Sequence, residues 1–136
     1  MRPLPQETMG SYAMVVSPEH LASRFKDPML PPVLATPVMI LAMENAALAA
    51  LKPYLEPGES ALGTHVDVKH LAATPVGRRI TASATVLRVS GRSISFSVRA
   101  TDGDEVIGSG THERMLIDID RFTARLAGKA GDGAGH

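Results

Sequence analysis

Glu44 is the only charged side chain between Ala35 and Leu51, in a stretch that is otherwise almost wholly apolar. A helix that is apolar on every side is expected to be wrapped by protein rather than to lie half in water. A carboxylate in its middle costs on the order of several kcal/mol unless a partner or a water-lined cavity compensates. Catalysis is one reason to carry such a group. An arginine partner, or an exit to solvent at the helix edge, is the structural alternative.

Histidine is the usual proton carrier near neutral pH, and the chain has five. His136 lies in the C-terminal tail, and His20 and His65 are expected to be solvated. His70 alternates with Val66 and Val68, which turns it toward the helix that carries Glu44. It fits either a satisfied core position or a proton carrier paired with that carboxylate. His112, in GSGTHER, shares strand parity with Gly108, Gly110 and Arg114. Thr36 precedes Pro37 and suits a helix N-cap; the same hydroxyl would sit beside backbone donors that favour developing negative charge. Thr36 and Glu44 are separated by about 12 Å of helix rise, so they can flank a substrate but not touch. Gly63 either opens its N–H to a carbonyl oxygen or marks a β-bulge.

The elements that must hold these residues follow from periodicity and breakers. Tyr12, Met14 and Val16 read as a strand, and Ser17-Pro18-Glu19 starts a short helix. Pro28, Pro31 and Pro32 break the chain before the long helix, which Pro53 ends. Beyond Glu59 the pattern is β: residues 60 to 71, about 79 to 89, 93 to 101 and about 105 to 119. Ser90-Gly91 and Asp102-Gly103 supply hairpin turns. The predicted class is therefore α+β, an antiparallel sheet curled around one long central helix: the hotdog fold. Residues 1–10 are expected to form a flexible arm, 11–126 a single domain, and the glycine-rich 127–136 a disordered tail. One chain is too small to cover such a helix, so a homodimer or higher homo-oligomer is expected.

Composition removes other classes. Lysine plus arginine equals aspartate plus glutamate at 14 each, so no net field draws nucleic acid or an anionic membrane. The absence of cysteine removes thiolate metal sites and thiol nucleophiles. No signal core or membrane-length apolar run is present, which makes a cytoplasmic protein the expectation. There is no GxGxxG, P-loop, GxSxG or metal-ligand spacing.

The segments ATPVMILAMENAA, YLEPGESALGT, HLAATPVG and IGSGTHER, in that order, resemble the fluoroacetyl-CoA thioesterase type of hotdog protein over about residues 10 to 125. The resemblance implies hydrolysis of a short acyl-CoA thioester to a carboxylate and free CoA, with no cofactor beyond the CoA of the substrate. It implies Thr36, Glu44 and His70 as the catalytic set, Gly63 as the backbone donor to the thioester carbonyl, and Arg114 as a substrate-binding neighbour. Fluoroacetyl-selective members carry phenylalanines before the helix, whereas this chain reads DPMLPPVLAT. Met29, Leu30, Leu34, Val38 and Met39 are therefore expected to line an adaptable acyl pocket with little preference for fluoroacetyl over acetyl. A hotdog hydratase or dehydratase, which would leave the thioester intact, and a non-catalytic acyl-CoA-binding protein are the competing expectations.

Overall fold

Pro37 in the first turn suits a helix start, because its missing N–H would have no intrahelical partner there. Helix α2 accordingly spans Thr36–Leu51 and passes through a 3₁₀ turn, Lys52–Tyr54, that contains Pro53. The computed structural model describes residues 1–134. Around α2 run β1 (Met9–Val15), β2 (Glu59–His70), β3 (Arg79–Ser90), β4 (Ser93–Asp102) and β5 (Glu105–Asp118). They form one sheet in the order β1-β3-β4-β5-β2, with every neighbouring pair antiparallel. Gly91 and Gly103, both at positive φ, open the two tight hairpins where a side chain would be strained. The short helical segment after β1 is a 3₁₀ turn, Pro18–His20, followed by α1 (Ala22–Phe25).

Period-two alternation builds the core. Ile80, Ala82, Ala84 and Val86 of β3, with Ile94, Phe96, Val98 and Ala100 of β4, are buried in one cluster with α2. Across from them α2 buries Val38, Met39, Ala42, Met43, Ala46, Ala47, Ala50 and Leu51. The small residues have a geometric cause. A Cβ at Gly10 would collide with the backbone at Ala46 and Ala50, so β1 lies directly on the helix backbone. Gly108 likewise leaves the space that the Met39 thioether fills.

One side of α2 is left open, as expected of a single chain too small to cover it. Thr36, Pro37 and Leu41 are exposed, while Ile40, Glu44, Asn45, Leu48 and Ala49 are half-buried. These positions recur every three to four residues and form one stripe along the helix. Leu41 keeps 49% of its surface exposed.

Both ends also differ from expectation. Residues 1–10 are tied down: the N-terminal ammonium pairs with Glu59 at 2.6 Å, the Arg2 N–H donates to the Tyr54 carbonyl, and Met1 and Leu4 pack on the core. These contacts offset the entropy of ordering the arm. At the other end α3 (Ile119–Ala134) runs through most of the segment expected as tail. Asp118 accepts the Arg121 N–H at 2.9 Å, and Ile119, Phe122 and Leu126 share helical spacing that the later glycines obscure. His136 lies outside the described residues. Among the described residues, no helix is long and apolar enough to cross a membrane.

Candidate active site

The last residue of β2 and the first of α2 meet. Thr36 Oγ1 and His70 Nδ1 are 2.8 Å apart. The threonine is not the N-cap. Val38 and Met39 return their N–H groups to the Ala35 carbonyl, and the Ala35 N–H is itself held by the His20 carbonyl. Ala35 thus takes the capping position, and no side chain caps the helix. The Thr36 hydroxyl is left to the histidine. Burial pushes His70 below its ordinary pKa, partly opposed by the nearby Ala72 backbone. Its Nε2 is buried, and no group meets hydrogen-bond geometry with it. An imidazole with Nδ1–H donating to Thr36 and a bare Nε2 lone pair avoids a buried unpaired donor.

Both residues line a cleft of about 440 Å³ with Lys26, Leu30, Pro31, Val33, Leu34 and the segment from Leu71 to Ala73. Leu30 and Leu34 are where the acyl-pocket expectation puts them. Met29, Val38 and Met39 are not. Met29 is 86% exposed on its loop, and Val38 and Met39 are spent in the core. Ala22 and Lys26, on and just beyond a four-residue helix, come to this wall through the chain reversal at Pro28–Pro32; no periodicity in the sequence signals it.

Two turns along the same stripe, Glu44 stands among a second set. A β-bulge between Gly63 and His65 resets the parity of β2. Gly63 is in register with buried Arg114, and Val66 with buried His112. Residues in register point to the same side of a sheet. Gly63 before the bulge and Val66, Val68 and His70 after it therefore all face the helix. Thr64, which strict alternation with Val66, Val68 and His70 would put on that face, is the residue the bulge absorbs. A Cβ on Gly63 would lie 3.1 Å from Glu44 Oε2 and 3.4 Å from His112 Cε1. Both readings of Gly63, bulge and open backbone, hold at neighbouring positions.

Arg114 organises this set. Its Nη2 and Nε donate to the Ala61 carbonyl at 2.7 and 3.2 Å, and its Nη1 lies 3.2 Å from His112 Nε2 and 3.9 Å from Glu44 Oε2. An arginine can only donate, so His112 must accept at Nε2 and carry its proton on Nδ1, 2.8 Å from the His65 carbonyl. Burial holds His112 below the usual histidine range; the hydrogen bond to the His65 carbonyl opposes it, and the Arg114 charge adds a smaller downward push against a still smaller upward pull from Glu44. Phe96 stacks on the ring at 6.0 Å. His112, the lesser candidate in the sequence, is thus an integral part of the site.

Glu44 both meets an arginine and reaches solvent, with 38% of its side chain exposed. The expected pairing of Glu44 with His70 is replaced by two groups on one helix stripe: Thr36 with His70, and Glu44 with Gly63, Arg114 and His112. His65 is exposed beside Glu113 as expected. His20 instead bonds the Ser17 N–H and hydroxyl. Among the described residues no cluster of three metal-capable side chains forms.

The fold and this site define the hotdog thioesterase class. A thioesterase superfamily member from Thermus thermophilus is 27% identical, covers the whole of both chains and superposes with a TM-score of 0.92. A crystal structure of the fluoroacetyl-CoA thioesterase FlK is 39% identical over 93% of this chain and 98% of its own, with a TM-score of 0.88. The fluoroacetyl-CoA thioesterase of Streptantibioticus cattleyicolor is 48% identical over 99 residues, 73% of this chain and 71% of that protein. The model of the FlK family, described as fluoroacetyl-CoA-specific thioesterase, matches residues 16–120, and the chain belongs to that family of acyl-CoA thioester hydrolases.

Proposed function

We propose that this chain hydrolyses short acyl-CoA thioesters without requiring fluorine, and that the residues from Thr36 to Glu44 along the α2 stripe form the catalytic track. The observation that carries this reading is the Thr36–His70 hydrogen bond on the wall of an open, apolar cleft. The acyl group enters beside Leu30 and Leu34. The thioester carbonyl turns toward the Gly63 N–H of a second copy. Gly63 and His70 of one chain stand seven residues apart on β2, about 20 Å, and pairing of two β2 edges closes that distance. Such a donor to the developing oxyanion is typically worth roughly 3–4 kcal/mol. Glu44, beside Gly63, acts as nucleophile or as general base on water. The carbon–sulfur bond breaks, the acyl carbon keeps the incoming oxygen, and CoA leaves as thiolate. His70, neutral with its Nε2 lone pair free, takes up a proton as water attacks and passes it to the departing thiolate, and Thr36 fixes the ring. Arg114 holds the Glu44 carboxylate in place.

The reaction needs no cofactor besides the CoA of the substrate, and a CoA ester as substrate favours a cytoplasmic setting. Residues 11–126 are taken as the catalytic unit. A second copy of the chain covers the apolar part of the stripe, Leu41 foremost, and the exposed β2 edge with Leu62 and Val66. Neither nucleic acid nor membrane is a partner in this reading. The test is release of free thiol from an acyl-CoA, which a hydratase or a passive binder would not give. Single turnover in ¹⁸O-water, with hydroxylamine trapping beside it, then separates the two roles of Glu44: label in its carboxylate or a Glu44 hydroxamate reports an anhydride, and label in the product alone with no hydroxamate reports direct attack by water.

A further inference from the structure

We infer that the small cleft between α3 and the β3–β4 turn binds the phosphates of the CoA leaving group. This inference rests on the thioesterase reading. The cleft, about 140 Å³, is walled by Arg92 from the turn and by Arg121 and Arg125 from α3, over Met115, Leu116, Ile117 and Phe122. Arg121 and Arg125 are four residues apart and so occupy one helix face. All three arginines are exposed, and among the described residues none is in an ion pair. The chain as a whole has no net charge, so three guanidinium groups around one hollow are a local departure.

The acids nearby cancel only part of that charge. Asp118 also lines the cleft, and one of its oxygens is engaged by the Arg121 N–H at the start of α3. Glu59, its partner in register, is neutralised by the N-terminal ammonium at 2.6 Å. Arginine binds phosphate oxygens through two parallel N–H groups and is weakly hydrated, which suits an exposed phosphate site better than lysine does. The Phe122 ring and the Met115 thioether supply apolar faces for an adenine.

Position links the cleft to the reaction. Gly63 is in register with Arg114, and Asp118 is four residues further along β5. That offset is about 14 Å of strand, the scale of an extended pantetheine arm.

Two measurements test the site. Calorimetry with adenosine 3′,5′-bisphosphate needs no turnover. The wild type should bind it, with affinity falling as salt rises. The R121A/R125A variant should bind at least tenfold more weakly, and R121K/R125K should recover part of the loss. The second measurement compares KM for an acyl-CoA with KM for the matching acyl-pantetheine. The wild type should favour the CoA ester by tenfold or more, and R121A/R125A should lose most of that preference. Equal bisphosphate affinity in wild type and R121A/R125A, or a KM preference retained by that variant, overturns the inference. Bisphosphate binding with no thiol released from either substrate would sustain the site and overturn the thioesterase reading instead.

Discussion

Gly63 and Glu44 face each other so closely that a single methyl group on the glycine would stand 3.1 Å from the carboxylate Oε2. The glycine has no positive φ, so its role is space rather than backbone freedom. That hydrogen-sized gap lets a carboxylate, a guanidinium and a strand backbone converge at one point.

Gly63→Ala should therefore fold, with a stability change within about 1 kcal/mol, because the group displaced is the free end of a side chain. Turnover should fall by roughly 100-fold or more, the usual cost of spoiling an oxyanion donor. Urea unfolding beside thiol-release kinetics checks the pair; full activity in a folded variant would remove Gly63 from the mechanism.

Replacing Glu44 by Ala should cost at least about two orders of magnitude in kcat. The effect on the melting temperature should be small, since the carboxylate is over one-third exposed and 3.9 Å from Arg114. A large loss of Tm with turnover retained would make Glu44 a structural ion-pair member.

The pH profile of kcat/KM should report His70. Its proton is held less tightly than usual because the ring is buried, so the base form persists to lower pH. The acidic limb should lie below about 6.5, the ordinary histidine value. Activity should be full above that limb and fall as pH drops through it, and His70→Asn should abolish it or leave a profile without it.

His112 makes a separate prediction about stability. Its folded-state pKa is depressed, so the unfolded chain takes up a proton first as pH falls below about 6.5. Stability is thus fully present above that value and is lost as pH falls through the lower folded value, where protonation also breaks the acceptor bond from Arg114. The urea midpoint should drop between pH 7.5 and 5.5, and His112→Gln should flatten that dependence. An unchanged slope would assign the acid sensitivity to other groups.

An acyl series tests the pocket. The wall contains Leu30, Pro31, Val33 and Leu34 and no aromatic side chain, and each added buried methylene contributes about 0.8 kcal/mol of binding. Specificity constants should rise from acetyl-CoA over several carbons, with fluoroacetyl and acetyl within a few-fold of each other. Strong fluoroacetyl selectivity would overturn this account of the loop.

The sequence made the sheet legible because β3 and β4 alternate cleanly and their hairpins carry glycine. The α2 helix was legible in extent, and so was its incomplete cover by one chain; which stripe stays open was not, because an apolar composition does not distinguish one helix face from another. Thr36, Glu44, His70, Gly63 and Arg114 could be named in advance. Their grouping could not, because it depends on the bulge after Gly63, which changes which β2 residues share a face. The capping role expected for Thr36 went to Ala35, whose N–H donates to the His20 carbonyl and whose carbonyl accepts from Val38, bonds that no local pattern records. The order of the arm and of α3 is hidden in the sequence for a related reason: their prolines and glycines are conspicuous, and the few contacts that order them are not.

Strand β1 lies against α2 at Gly10 with no side chain between the two backbones, so the helix has nowhere to retreat. Insertions, slides and rotations of α2 would each drive main chain into main chain. Thr36 and Glu44 are therefore mounted on a fixed rail, and their spacing is not a quantity that drift can adjust. Diversity in what such an enzyme accepts must come from parts that move independently of the rail, above all the proline-rich loop that carries Leu30. One hydrogen atom at residue 10 thereby separates the inherited chemistry from the adaptable choice of acyl group.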